Sequence, residues 1–239
     1  MKIIFAPSKS KEMTAYDNQT ATKILFPQKS KEILKRMKLL SKKELATILS
    51  IKNNILDQTY SQYQDSVYGT ALTSFIGTSF KELSVEGYSK EEREYLRDNL
   101  RILSAVYGII QPFDSIAAHR LDMNDKIFYK DDEYKNLYEY WQNEVSNYFS
   151  SEKNILNLAS SEYAKMLGDN PNIINVDFYI LKNKKLKSIS VYAKQERGKM
   201  LDFCIKNKLT QPEHVKKYTS DFIFSEQESD SHNYVFIKK

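Results

Sequence analysis

Lys194 and Arg197 stand three residues apart in SVYAKQERGKMLDFCIKNKL (190–209), a stretch that reads as the end of a strand running into a helix. At about 100° per residue, Lys194, Arg197, Leu201, Cys204, Ile205 and Lys208 fall on one side of that helix. Two cations therefore continue an apolar stripe and lie at the edge of the core. In a first helical turn they also occupy the positive end of the helix dipole, where a cation is disfavoured by roughly 0.3–1 kcal/mol and an anion is favoured. That placement calls for a negative partner, either an internal carboxylate such as Glu162 or an external phosphate or other anion. Gly198 costs about 1 kcal/mol relative to alanine inside a helix, which fits close approach by another chain or a ligand.

Two more strand ends carry reactive side chains. Ser8 and Lys9 follow KIIFA (2–6), and Ser160, Ser161 and Glu162 follow NILNL (154–158). If the three ends are neighbours, they build one cleft outside the carboxyl edge of a sheet, where open α/β sheets bind ligands. Glu162, next to Tyr163 and facing Lys194 and Arg197, offers a general acid–base set, although the cations are expected to lower the carboxylate pKa and weaken it as a base. No nucleophile–base–orienter triad, phosphate-binding glycine loop or metal-ligand spacing is visible, so no reaction is named.

The elements that must position these residues follow from periodicity. Helical composition covers 29–40, 42–50 and 53–65. In SKEEREYLRDNLRILSAVYG (89–108), Ser89 and Glu92 form a capping-box pattern, Leu96, Leu100, Leu103 and Tyr107 repeat along one face, and Gly108 stops the helix. Arg93, Arg97 and Arg101, spaced by four, make a basic row beside that face. A turn at Gln111-Pro112 and a short helix capped by Asp114 then give the outline of a helix-hairpin-helix, whose hairpin amides can hold a nucleic-acid phosphate. Further on, 131–149 reads as a helix with Trp141 in its packed face, and Ser160 or Ser161 caps a helix after NILNL. NIINVDFYILKN (172–183) and KLKSISVYAK (185–194) read as two strands joined by a lysine-rich turn. SEQESDSH (225–232) reads as a mobile loop before an edge strand, NYVFIKK. The sum is a mixed α/β (α+β) fold, a single domain over 1–239 with a small central mixed sheet surrounded by many helices.

Composition sets the outer limits. The 239 residues, 41% of them hydrophobic, suffice for a sizeable core. No apolar run approaches a membrane span and the amino terminus does not read as a signal peptide, so the expectation is a cytoplasmic monomer that engages no membrane. Cys204 is the single cysteine and lies in an apolar stripe; His119, His214 and His232 share no ligand spacing with it. Neither a structural zinc nor another cofactor is expected. The net charge of +5 permits a nucleic-acid partner without demanding one. Seven basic residues against one acid in 29–43 read as the solvated face of an amphipathic helix, and the four lysines of 182–187 as an exposed hairpin tip.

Four segments together also carry a resemblance. APSKS (6–10), RILSAVYGIIQPFDSIAAHRLDM (101–123), NLASSEYAK (157–165) and ISVYAKQERGKM (189–200) make the chain similar, over essentially its whole length, to the YaaA family of bacterial peroxide-stress resistance proteins. The resemblance implies a cytoplasmic protein that limits hydroxyl-radical damage, with effects on intracellular iron, and an α/β fold with a positively charged cleft and a helix-hairpin-helix-like element that engages DNA. Carried over residue by residue, it points to Lys9, to Arg101, Tyr107, Asp114 and Arg120, to Asn157, Ser160, Glu162 and Tyr163, and to Lys194, Arg197 and Gly198. The sequence departs from the family pattern at Gln111, where an arginine is common, and at Ala118-His119, where a Pro-aromatic pair is common.

Three functions follow as expectations. In the first, Lys9, Arg101, Arg120, Lys194 and Arg197 neutralise DNA phosphates and Tyr163 or Tyr192 stacks on an unpaired base, with structure or damage preferred over sequence and a steep salt dependence. In the second, an enzyme acts on a small anionic substrate such as a nucleotide; a narrow pocket over Glu162 and Arg197 would favour it, and a groove as wide as a strand would favour the DNA binder. The third, iron held by Asp114, Asp122 and Glu162, conflicts with a site walled by Arg and Lys.

Overall fold

The computed structural model describes residues 1–14 and 22–239. Its centre is an eight-stranded sheet. Five parallel strands form the middle: β1 (Lys2–Phe5), β3 (Leu100–Ser104), β6 (Ile155–Leu158), β7 (Ile173–Lys182) and β10 (Asn233–Lys238), in the spatial order β3-β1-β6-β7-β10. Antiparallel strands β4 (Gly108–Ile110) and β9 (Phe222–Phe224) flank them, and β8 (Lys185–Lys187) pairs with the far end of β7. A separate ribbon joins β2 (Tyr68–Thr70) to β5 (Ser115–Ala117). The sheet is thus mixed, as expected, but larger than the small one anticipated, and NYVFIKK lies inside it with β9 at its side rather than on its edge.

The helices pack around this sheet. They are α1 (Pro27–Leu39), α2 (Lys42–Leu49), α3 (Asn53–Gln64), α4 (Ala71–Ser74), α5 (Lys90–Asn99), α6 (Leu137–Phe149), α7 (Ser161–Ala164) and α8 (Ser190–Lys206). The first three agree closely with the periodicity reading, and α6 begins at Leu137 rather than at 131, ending at Phe149 as expected. Trp141 of α6 is fully buried and donates its indole N–H to the Ala105 carbonyl at 2.9 Å. The same ring lies against Gly108, which has φ +68° and where a Cβ would come within 2.7 Å of it; glycine is therefore required both for backbone and for space. Cys204 is buried among apolar neighbours, and burial pushes its thiol pKa up. The β7–β8 hairpin turns through Asn183 and Lys184, both with left-handed φ, as a two-residue hairpin turn requires. Its lysine-bearing tip is exposed, as expected.

Two sequence expectations are corrected. The capping box of Ser89 and Glu92 is formed, but α5 ends at Asn99 and Leu100–Ser104 is a strand, every residue of it buried. A strand covered on both faces loses its alternation, so its leucines, spaced by three and four, mimic a helical stripe. Arg101 consequently leaves the row of Arg93 and Arg97. Residues 100–117 then run strand, turn, strand, strand instead of helix, hairpin, helix, and Asp114 caps no helix. Its buried carboxylate accepts the Gln111 amide at 2.8 Å and the Thr22 hydroxyl, closing the turn. The second correction is at SISVY, whose β-branched residues suggest a strand; Ser190 instead begins α8 after Ile189. The first basic stretch is likewise less solvated than expected, because Lys29 is paired with Glu144 at 2.7 Å and Arg36 with Asp132 at 2.6 Å.

Candidate functional site

The strand order places β1 between β3 and β6, so the chain leaves β1 toward one side of the sheet and β6 toward the other. That arrangement opens a crevice at the carboxyl ends of β1 and β6. A cavity of about 320 Å3 occupies it. Its walls come from the loop after β1 (Ala6 to Ser10), the segment Gly77 to Phe80, the β6–α7 junction (Leu158, Ser160, Glu162, Tyr163), Asp122, and Lys194 and Arg197 of α8. The three strand-end groups nominated by sequence therefore meet in one place. Lys194 and Arg197 reach it from the second and third turns of α8 rather than the first, because the helix begins at Ser190. The helix-dipole reason for an anion therefore falls away, and the case for one rests on the site's own charges.

Gly198 holds this geometry. A Cβ there would come within 2.1 Å of the Ser79 carbonyl oxygen, so the absence of a side chain lets α8 lie directly on the 77–80 segment. The close approach inferred from Gly198 is real, and the approaching group is this chain's own backbone.

The charges within the cavity are arranged around Asp122. Lys9 Nζ lies 2.5 Å from Asp122 Oδ2, and the Tyr163 hydroxyl donates to Asp122 Oδ1 at 2.7 Å. The hydrogen bond to Asp122 raises the Lys9 pKa. Burial, and then the Asp122 charge, hold the Tyr163 phenol well above its ordinary range. Glu162 accepts the Asn124 amide at 3.3 Å; its pKa is raised, first by burial and then by Asp122, with Lys9 opposing. This reverses the sequence expectation that cations would lower it. The nearest carboxylate to Arg197 is Asp177, at 3.8 Å, and not Glu162. Arg197 Nε is buried without a hydrogen-bond partner among the described residues, and burial lowers its pKa. Lys194 is exposed and forms no ion pair among the described residues.

Lys11 fixes the first loop. Its ammonium donates to the Ser8 carbonyl at 2.7 Å and the His119 carbonyl at 2.8 Å, and lies over the Phe75 ring. Burial pushes its pKa down to about 7. The clasp ties the segment carrying Lys9 to the one carrying Arg120 and Asp122. Arg120 is half-buried; its charge opposes protonation of both Lys9 and Lys11, but it does not line the cavity.

Other nominated residues also lie away from the cavity wall. Arg101 is buried, with its guanidinium donating to Tyr148 Oη and to the carbonyls of Arg97 (2.8 Å) and Leu100 (2.6 Å). Asn157 faces a second cavity, described below. Tyr107 accepts the Ala117 amide at 2.7 Å and is likewise structural. Among the described residues no group of three or more His, Cys, Asp or Glu side chains is placed to hold a metal. Sequence reasoning missed Thr78, Ser79 and the pivotal role of Asp122. The run IGTSF (76–80) carried a signal for the first two, since Gly, Thr and Ser clustered between apolar residues mark a loop.

Fold and site together define a mostly parallel α/β protein with a hydroxyl-lined pocket at a strand-end crevice, its wall carrying both cations and carboxylates. The chain belongs to a family described as peroxide stress protein YaaA, whose profile matches residues 1–228. It is 36% identical to a UPF0246 protein of Fusobacterium nucleatum over all of this chain and 99% of the relative. It is 34% identical to one of Finegoldia magna (all of this chain, 98% of the relative) and 31% identical to one of Clostridium perfringens (all of both). No helix among the described residues is long and apolar enough to cross a membrane.

Proposed function

We propose that this peroxide stress protein binds DNA through the strand-end cavity, preferring unpaired or damaged structure to sequence, and thereby limits oxidative damage linked to intracellular iron. The observation that carries this reading is the convergence of Lys9, Lys194 and Arg197 with the hydroxyls of Ser8, Ser10, Thr78, Ser79 and Ser160 around one cavity. Cations and hydroxyls are the usual partners of phosphate oxygens. A cavity of about 320 Å3 admits about one nucleotide and no duplex, so a strand enters it only where a nucleotide is unpaired or extruded. That supports a preference for bulges, gaps and single strands. Tyr163 is committed to Asp122 and buried; the exposed Tyr192 ring carries the Lys238 ammonium 4.8 Å from its centroid and lines neither cavity.

The test is binding of wild type and the Lys194→Ala/Arg197→Ala variant to duplex, bulged and single-stranded DNA across a salt series. The expected result is tight, steeply salt-dependent binding to bulged and single-stranded DNA that the double variant loses. Binding that is absent, or unchanged in the variant, rejects the reading.

Two observations favour a second reading, an enzyme acting on a small anionic substrate. The cavity is a pocket rather than a strand-wide groove, and burial raises the pKa of Glu162 on its wall, the direction that favours a general acid. Turnover of a nucleotide or phosphorylated metabolite that Glu162→Gln abolishes would establish it.

A further inference from the structure

A second cavity, of about 700 Å3, shares Arg197 with the first. Along 157–160 the lining residues alternate: Leu158 and Ser160 face the first cavity, whereas Asn157 and Ala159 face the second. Successive side chains of an extended chain point to opposite faces, so the two cavities flank the carboxyl end of β6 on its two sides. Arg197 is the wall common to both.

The floor of the second cavity is a row of amides. Asn157, Asn175 and Asn233 stand in register on β6, β7 and β10. Asn157 Nδ2 donates to Asn175 Oδ1 at 2.7 Å, Asn175 Nδ2 donates to Asn233 Oδ1 at 3.0 Å, and Asn233 Nδ2 ends on the Asp230 carboxylate at 3.0 and 3.1 Å. Central parallel strands ordinarily carry apolar residues at such positions, and a buried amide is costly unless hydrogen-bonded. The ladder fixes each amide plane. It uses one N–H of Asn157 and one of Asn175, and an amide has two. Pro171 and Ile173 supply apolar wall, and Lys165, Ser188 and His232 stand around it.

Arg197 Nε has no hydrogen-bond partner among the described residues, and its guanidinium is 3.8 Å from Asp177. The Nε itself is enclosed by the protein, but Arg197 lines both cavities, and a guanidinium shared by two cavities is placed to hold a phosphate that links their occupants. We infer that the ligand of the strand-end site spans two nucleotide units. The linking phosphate rests on Arg197, one nucleoside occupies the first cavity, and the next occupies the second, with its base edge on the amides of Asn157 and Asn175. This rests on the reading of the first cavity as a nucleotide-phosphate site. It adds the length of the ligand and a subsite that recognises a base edge, a task for which side-chain amides are suited.

The experiment is titration of the full chain with deoxyadenosine 5′-monophosphate, the corresponding 5′-phosphorylated dinucleotide and a short oligo(dA). Wild type is expected to bind the dinucleotide at least tenfold more tightly than the mononucleotide. Asn175→Leu is expected to erase that increment and leave mononucleotide affinity unchanged. Ser188→Trp, an exposed rim position outside the ladder, is expected to do the same by filling the cavity, and keeps the test available if the ladder variant fails to fold. Equal wild-type affinity for both small ligands, or an increment that survives in the folded variants, overturns the second subsite while the first stands. Absence of binding by all three ligands rejects the underlying reading and the subsite with it. Oligo(dA) bound far more tightly than the dinucleotide identifies a DNA strand as the source of the two units; equal affinities identify a free dinucleotide.

Discussion

Two regions of the molecule were rich in the same residue types, and the fold treated them in opposite ways. At the β1–β6 crevice, Lys9, Glu162, Lys194 and Arg197 converge on a cavity, and Lys194 and Arg197 Nε keep unused capacity. In the segment 100–117, Arg101, Tyr107 and Asp114 are equally polar, yet each is buried and hydrogen-bonded to neighbouring backbone or side chains. The difference lies in where unspent hydrogen-bonding capacity remains. A buried polar group that is satisfied internally stabilises the fold, whereas one left facing a cavity is available to a ligand.

Substituting Arg101 is the strongest attempt to break this contrast. Arg101→Ala removes the guanidinium's hydrogen bonds to Tyr148 and two carbonyls, and is expected to lower stability by about 1.5–3 kcal/mol in denaturant titration. DNA affinity per folded molecule should stay unchanged; a variant of normal stability that no longer binds would move Arg101 into the site. Next in size, a pH effect belongs to Asp114, whose pKa is raised to about 6 by burial. A carboxyl with a raised folded-state pKa adds stability below its unfolded value, about 4, and loses that contribution as pH rises through 6. Wild-type stability should therefore carry a decline of up to about 3 kcal/mol between pH 4 and 6 that Asp114→Asn flattens. An identical pH profile in the variant would assign the decline to another group, Asp125 being the first to test because burial also raises it to about 6.

On the cavity side the signs invert. Lys194→Ala/Arg197→Ala should cost at least tenfold in affinity, about 1.4 kcal/mol, and reduce the salt slope by about 1.4–1.8, with little change in melting temperature. A large loss of stability with binding intact would place Arg197 in the fold instead. The smallest effect is expected from Asp122→Asn. The Lys9–Asp122 pair is open to solvent on the Lys9 side, and such pairs contribute about 0–1 kcal/mol. Stability should change by less than that, while release of Lys9 strengthens DNA binding; weaker binding would show that Asp122 positions Lys9 or Tyr163 for the ligand.

The amphipathic helices α1 to α3 and α6, the capping box of α5, and the strands at KIIFA, NILNL and NIINVDFYILKN were legible because each expresses a local period or a local hydrogen bond. Two of the three groups, Ser8–Lys9 and Ser160–Glu162, were also legible, since polar residues directly after buried strands mark where a sheet meets solvent; Lys194 and Arg197 reach the cavity from within α8 instead. The buried strand Leu100–Ser104 was not, because burial on both faces erases alternation and leaves leucines at helical spacing. The start of α8 was not either: local β propensity at SISVY yields to the packing of Ala193, Glu196 and Gly198 against the body of the protein.

Residue types and local order alone determined which side chains stand at the carboxyl ends of strands, and with them the family to which the chain belongs. Only tertiary structure decided which cations are spent. Arg101 and Arg197 are the same residue in sequence; one meets two carbonyls and a phenol, the other reaches the wall between two cavities with a nitrogen unpaired. Hydrogen-bond satisfaction depends on groups far apart in the chain, so it is fixed only when the strands have taken their order.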